Sequence, residues 1–114
     1  MNIKMPRGDI RNIKFNITNK EGTTITTDFD EIYITFKRGF YDNEALFQKK
    51  LTDETIIKDE NNYYHFTIES EDTDNLDYGD YVFDIELVIN DLVKQTIVGN
   101  LTLTNEVTFA SNEV

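Results

Sequence analysis

The sequence predicts an all-β fold, a sandwich of about seven antiparallel strands. Three observations predict it: apolar residues recur with period two, no stretch of ten or more residues shows a helical repeat, and turn-forming segments separate the alternating runs. A chain of 114 residues fits one domain, residues 1–114, around a single core.

The first alternating run spans Arg11 to Thr18, with Ile13, Phe15 and Ile17 on one face and Asn12, Lys14 and Asn16 on the other. "NKEGTT" then turns the chain. In "EIYITFK" Ile32, Ile34 and Phe36 alternate with Tyr33, Thr35 and Lys37, a half-buried strand rich in β-branched and aromatic residues. Gly39 helps to end it. "FYDNEALFQKKLTDE" reads as a short edge strand carrying Lys49 and Lys50, with Ala45, Phe47 and Leu51 facing inward. Ile56 and Ile57 begin another short strand before the "KDENN" turn. "YYHFTIE" places Tyr64, Phe66 and Ile68 inward and Tyr63, His65 and Thr67 outward. "SEDTDNLDYG" holds one helical turn crossing an end of the fold, with Leu76 plugging the core.

The strongest strand is "YVFDIELVI", where Tyr81, Phe83, Ile85, Leu87 and Ile89 share a face opposite Asp84 and Glu86. Ile97, Leu101 and Leu103 mark the last long strand. A two-residue turn at Asn90-Asp91 would pair Leu87 with Lys94 and Phe83 with Val98 and turn that apolar set to the wrong face. One extra residue, from a three-residue loop or a bulge between Leu92 and Ile97, instead pairs Ile85 with Ile97 and Tyr81 with Leu101. Gly99 then lies opposite Phe83, leaving room for the ring.

Eleven basic against twenty-two acidic residues give a formal charge of −11, which argues against nucleic acid as a partner. The charge is uneven: residues 1–58 are nearly neutral, whereas Lys94 is the only basic residue of 59–114. Such asymmetry allows head-to-tail contacts between copies, and a homo-oligomer is among the expected assemblies. There is no cysteine for a disulfide or a thiolate metal site. "MNIKMPRGD" lacks the apolar segment of a signal peptide, and no apolar run spans a bilayer. The expected setting is a protein folded in a cytoplasm, with no membrane partner.

No catalytic, cofactor-binding or metal-binding residues are expected. His65 is the only histidine and falls on an outward strand position. "DTDNLDYGD" gathers Asp72, Asp74, Asp77 and Asp80 but fails the EF-hand order, because Leu76 stands where a ligand is needed. Tyr33, Tyr41, Tyr63 and Tyr78 are candidate rings for a sugar platform, which makes a carbohydrate-binding or adhesive module of a bacterial surface the alternative reading.

Gly8-Asp9 ahead of "IRNIKFNIT", then "NKEGT", "IYITFK", "YGDYVFDIEL" at 78–87 and "TIVGNLTLTNEVT" at 96–108, form a pattern spanning nearly the whole chain. This pattern resembles phage virion proteins, in particular the Ig-like amino-terminal domain of the baseplate upper protein of phages of Gram-positive bacteria. The resemblance implies an Ig-like antiparallel sandwich without enzymatic activity, docking onto other virion proteins. A baseplate, tail or head accessory module is the expected setting; the end at Val114, with no receptor-binding region after the sandwich, departs from the baseplate protein and leaves a stand-alone head, connector or tail accessory protein or a fragment of a longer chain as the readings. It also implies that Arg7-Gly8-Asp9 is the lead-in to the first strand rather than an integrin ligand, with glycine permitting the turn. The expected protein interface is the basic start around Arg7, Arg11 and Lys14, together with the edge around Phe40, Tyr41 and Phe47.

Overall fold

A computed structural model describes residues 1–105 and gives an all-β sandwich. Its strands are β1 (Asn2–Pro6), β2 (Arg11–Phe15), β3 (Glu31–Lys37), β4 (Phe47–Lys50), β5 (Ile56–Lys58), β6 (Tyr64–Ile68), β7 (Gly79–Ile89) and β8 (Leu92–Thr104). One helical turn, α1 (Ser70–Thr73), joins β6 to β7. The larger sheet runs β1-β8-β7-β3-β4 and the smaller β2-β6-β5. This is the immunoglobulin arrangement, with B, E and D in one layer and G, F, C and C′ in the other.

The alternating faces predicted from sequence are the buried ones. Ile32, Ile34 and Phe36 of β3, Tyr64, Phe66 and Ile68 of β6, and Tyr81, Phe83, Ile85 and Leu87 of β7 all lie in one core, with Leu76 beneath them. Aromatic rings cross between the layers. Phe36 stacks on Phe47 at 4.2 Å and lies 5.0 Å from Phe83 and 6.4 Å from Phe66, across the sandwich. Phe66 in turn meets Phe15 at 6.1 Å, and Phe15 stacks on Tyr64 at 5.6 Å.

The β7–β8 register is the one the apolar faces require: Ile85 pairs with Ile97, Tyr81 with Leu101 and Phe83 with Gly99. Asn90 and Asp91, at φ of 54° and 62°, make the two-residue turn, and the ladder slips by one residue between Leu87 and Val88. A bulge at Lys94 thus supplies the extra residue. Leu87 pairs with Gln95 and Val88 with Val93.

Four expectations are corrected. Among the described residues there are eight strands rather than about seven, because Asn2–Pro6 forms an unanticipated one that buries Ile3 and Met5. That strand runs parallel to β8, so the larger sheet is mixed and not purely antiparallel. The run from Arg11 leaves the ladder at Phe15, although Ile17 remains buried. Ala45 is exposed rather than inward-facing, and Lys49 takes a buried position on β4. The end of the 96–108 stretch, and residues 106–114 of the expected domain, lie outside the described residues.

Gly99 explains why this register tolerates no side chain. A Cβ there would sit 2.4 Å from Phe83 Cζ and 2.5 Å from the Met1 carbonyl oxygen, against the backbone on one side and a core ring on the other. Gly99→Ala is expected to cost about 2 kcal/mol or more, read as a fall of roughly 10 °C in Tm by calorimetry. An unchanged Tm would show that β1 and Phe83 are not packed against this position.

Candidate functional site

Three connections meet at one end of the sandwich: residues 7–10, 38–46 and 69–78. The register puts them there, because Pro6 pairs with Thr104, Gly79 with Leu103, Lys37 with Val82, Phe36 with Phe47 and Arg11 with Ile68.

The Arg7-Gly8-Asp9 segment is a turn built into this end. Gly8 adopts φ of 82°, and the Asp9 N–H donates to the Pro6 carbonyl at 3.3 Å, as in a type II turn. The Gly8 N–H donates to Thr73 Oγ1 at 2.8 Å. Arg7 Nη1 donates to the Leu76 carbonyl at 3.2 Å, and its guanidinium lies 4.3 Å from the Tyr78 ring centroid. Arg7 therefore serves the corner between β6 and β7.

That corner is tied to the core from the other side. The Tyr81 hydroxyl donates to the Asp77 carbonyl at 2.8 Å, the tyrosine corner of immunoglobulin sandwiches. Arg38, just past β3, sets its guanidinium 6.0 Å from the Tyr81 ring. Lys49 Nζ donates to Asp72 Oδ2 at 2.7 Å, and the same oxygen accepts the Glu69 N–H at 2.8 Å, so edge strand β4 holds α1. Both charges are largely out of solvent, which makes either one costly to leave alone.

On this braced base Phe40 and Tyr41 of the 38–46 connection point outward, whereas Leu46 packs against the core. Tyr41 is 100% exposed and Phe40 51%, while Tyr78 across the end is 48% exposed. Beside them Arg38, Asp42, Asn43, Glu44, Ala45 and Leu46 line an open groove of about 560 Å³. The end thus presents three rings, two guanidinium groups and a shallow groove, a composition suited to a protein partner.

The six residues expected at an interface are not one patch. Arg7, Phe40 and Tyr41 share this end. Arg11 is exposed on β2 where that strand leaves it, and Lys14 lies farther along β2 with its ammonium 4.5 Å from the Tyr63 ring. Phe47 is half-buried and stacked on Phe36, because its position on β4 faces the core, and it is not part of the exposed edge. Arg38 and Tyr78 belong to the end without having been expected there. Only the topology brings them together.

The remaining candidates are dispersed. Tyr33 lies on the outer face of the larger sheet near Lys50 and Tyr63 on that of the smaller, so the four tyrosines form no common platform. Asp72 is engaged by Lys49, and Asp80 Oδ1 accepts from the Thr102 hydroxyl at 2.7 Å. His65 Nε2 lies 2.6 Å from Asp59 Oδ2, beside a groove of about 310 Å³ lined by Thr55, Ile57, Thr67 and Glu69 among others. The Thr67 hydroxyl donates to Asn12 Oδ1, not to the imidazole. Among the described residues no His, Cys, Asp and Glu group could hold a metal ion, and no helix is long and apolar enough to cross a membrane.

No family model matches the sequence, and no curated protein aligns with it. Among solved structures, a provisionally assigned glycoside hydrolase from Bacteroides vulgatus aligns over 91% of this chain at 14% identity and a TM-score of 0.47. The chain spans 17% of that protein's length. A likeness at that level transfers no activity.

Three carboxylates bear on stability. The Asp59 carboxyl is held below the usual range by its hydrogen bond with His65 and by the Tyr63 and Asn61 N–H groups. The Thr55 hydroxyl and N–H do the same for Asp53. Burial pushes Glu31 up, but hydrogen bonds from Thr52 and from the Ile32 N–H outweigh it and hold it low. Groups whose folded pKa is depressed contribute stability above their unfolded pKa and lose it as pH falls through the folded value. The Tm is therefore expected to drop below about pH 4. Asp59→Asn should melt lower than the parent at pH 7 and lose less on acidification. A parent Tm constant down to pH 2 would contradict this assignment.

Proposed function

We propose that this chain is a non-enzymatic docking module of a phage or prophage particle, made in the host bacterial cytoplasm and working through contacts with other virion proteins. The observation that carries the reading is the aromatic and cationic end: Phe40, Tyr41, Tyr78 and Arg38 exposed, with half-buried Arg7 against the Tyr78 ring, on connections braced by the Tyr81 corner and the Lys49–Asp72 pair. Exposed aromatic and arginine side chains on a rigid base are what protein interfaces use as anchors, because little conformational entropy remains to be lost on binding. The virion setting rests on the resemblance of "YGDYVFDIEL" and "TIVGNLTLTNEVT" to phage Ig-like domains. The acidic balance of the rest of the surface keeps such a module soluble before assembly.

A Phe40→Ala/Tyr41→Ala double variant tests the surface and the setting together. Because both side chains are exposed, stability should stay within about 0.5 kcal/mol of the parent. Incorporation into purified particles, measured by quantitative mass spectrometry of a culture that carries the gene, should fall several-fold. Absence of the parent chain from particles would defeat the virion setting, and equal incorporation of the variant would defeat the interface.

A further inference from the structure

Among the described residues all four edge strands are basic. β1, β2, β4 and β5 carry Lys4, Arg11, Lys14, Lys49, Lys50 and Lys58 and no acidic residue, in a chain with twice as many acids as bases. Lysine on an edge guards against pairing with another copy of the same edge, since like charges directly across a ladder repel.

Three of the edges are also closed in other ways. On β4 the Lys50 N–H donates to Thr55 Oγ1 at 2.7 Å, so a side chain stands where a neighbouring strand would lie. Pro6 removes a donor from β1. β5 has only three residues.

Among the described residues β2 has none of these devices. Its hydrogen-bonding phase follows from the next hairpin: the Asp59 N–H donates to the Tyr63 carbonyl at 2.8 Å, so Tyr63, His65 and Thr67 address β5. Tyr64, Phe66 and Ile68 then address β2, pairing with Phe15, Ile13 and Arg11. Asn12 and Lys14 consequently turn their N–H and C=O groups away from the sheet. Their side chains and that of Arg11 are exposed, and Ile10, just ahead of the strand, is 63% exposed. In an immunoglobulin sandwich a first strand can cover this edge, but here the amino-terminal strand pairs with β8 in the other layer.

We propose that the β2 edge accepts an extended acidic segment of a partner protein as a fourth strand of the smaller sheet. Main-chain bonds to Asn12 and Lys14 supply the pairing, and Arg11 and Lys14 select carboxylates on the incoming strand. This contact is distinct from the aromatic end and does not require it.

The probe is a soluble twelve-residue peptide in which Glu alternates with Val and Thr, titrated into the full ¹⁵N-labelled chain. Amide shifts and new exchange protection are expected at Asn12 and Lys14. Arg11→Glu/Lys14→Glu should weaken binding about ten-fold, through two lost attractions replaced by repulsions. Lys14→Pro deletes one outward donor while sparing the ladder to β6, and should also weaken it. Lys4→Glu, on the opposite sheet's edge, should not. Absence of shifts at β2, equal binding of a peptide with Lys in place of Glu, shifts confined to another edge, or a dimer of this chain through β2 would each overturn the proposal.

Discussion

With no cysteine in the chain, the two sheets are held together by packing alone, and Phe36 is where that packing converges. Its ring touches Phe47 and Phe83 within its own sheet and reaches Phe66 in the opposite one. Four strands therefore share one contact surface. Aromatic pairs of this kind add about 0.5–1.5 kcal/mol beyond the area they bury, and a gap at Phe36 would be bounded by β3, β4, β6 and β7 at once. The end carrying Phe40, Tyr41 and Tyr78 hangs from the same ring cluster. Phe36 lies two residues before Arg38, Phe47 begins β4 and Phe83 lies two residues beyond the Tyr81 corner. The rigidity of that end is a property of the core.

Much of this could be read from the sequence because a half-buried strand has only two faces. Once Tyr81, Phe83, Ile85 and Leu87 are assigned to the core, the apolar residues of β8 have one register that keeps them there, and Gly99 opposite Phe83 follows from volume. That one extra residue is needed follows by parity, and the structure supplies it as a bulge rather than a longer loop. β1 was not legible for the same kind of reason reversed: "NIKMP" offers two apolar residues and a proline, and its pairing partner lies nearly a hundred residues away. Parallel addition to β8 leaves no local mark. The burial of Lys49 on its edge strand leaves no mark in the sequence, because its partner, Asp72, sits on a different element.

The candidate site was legible in its parts and not in its assembly. Arg7, Phe40 and Tyr41 attract notice as a cation near the start and rings in a polar loop. Nothing in their spacing says that residues 7, 38–41 and 78 share one end of the molecule. Strand order decides that. The same topology separates Lys14 from Arg7, seven residues apart, by turning the chain from one sheet to the other at Gly8.

The uneven charge of the two halves becomes intelligible only in space. All four edge strands come from residues 1–58, whereas β6, β7 and β8, from the acidic half, lie in sheet interiors, and many of that half's acids lie in connections. A central strand has both neighbours supplied by its own fold and needs no electrostatic guard, so Asp80, Asp84 and Glu86 can occupy the outer face of β7 without inviting a wrong pairing. An edge strand has one free side, and a positive charge there acts in two directions at once: it repels the corresponding edge of a second copy and favours a strand of opposite charge. Among the described residues, the near-neutral half of the chain thus supplies the four basic edge strands and the interior strand β3, and the acidic half supplies the other interior strands, whose two sides are already paired.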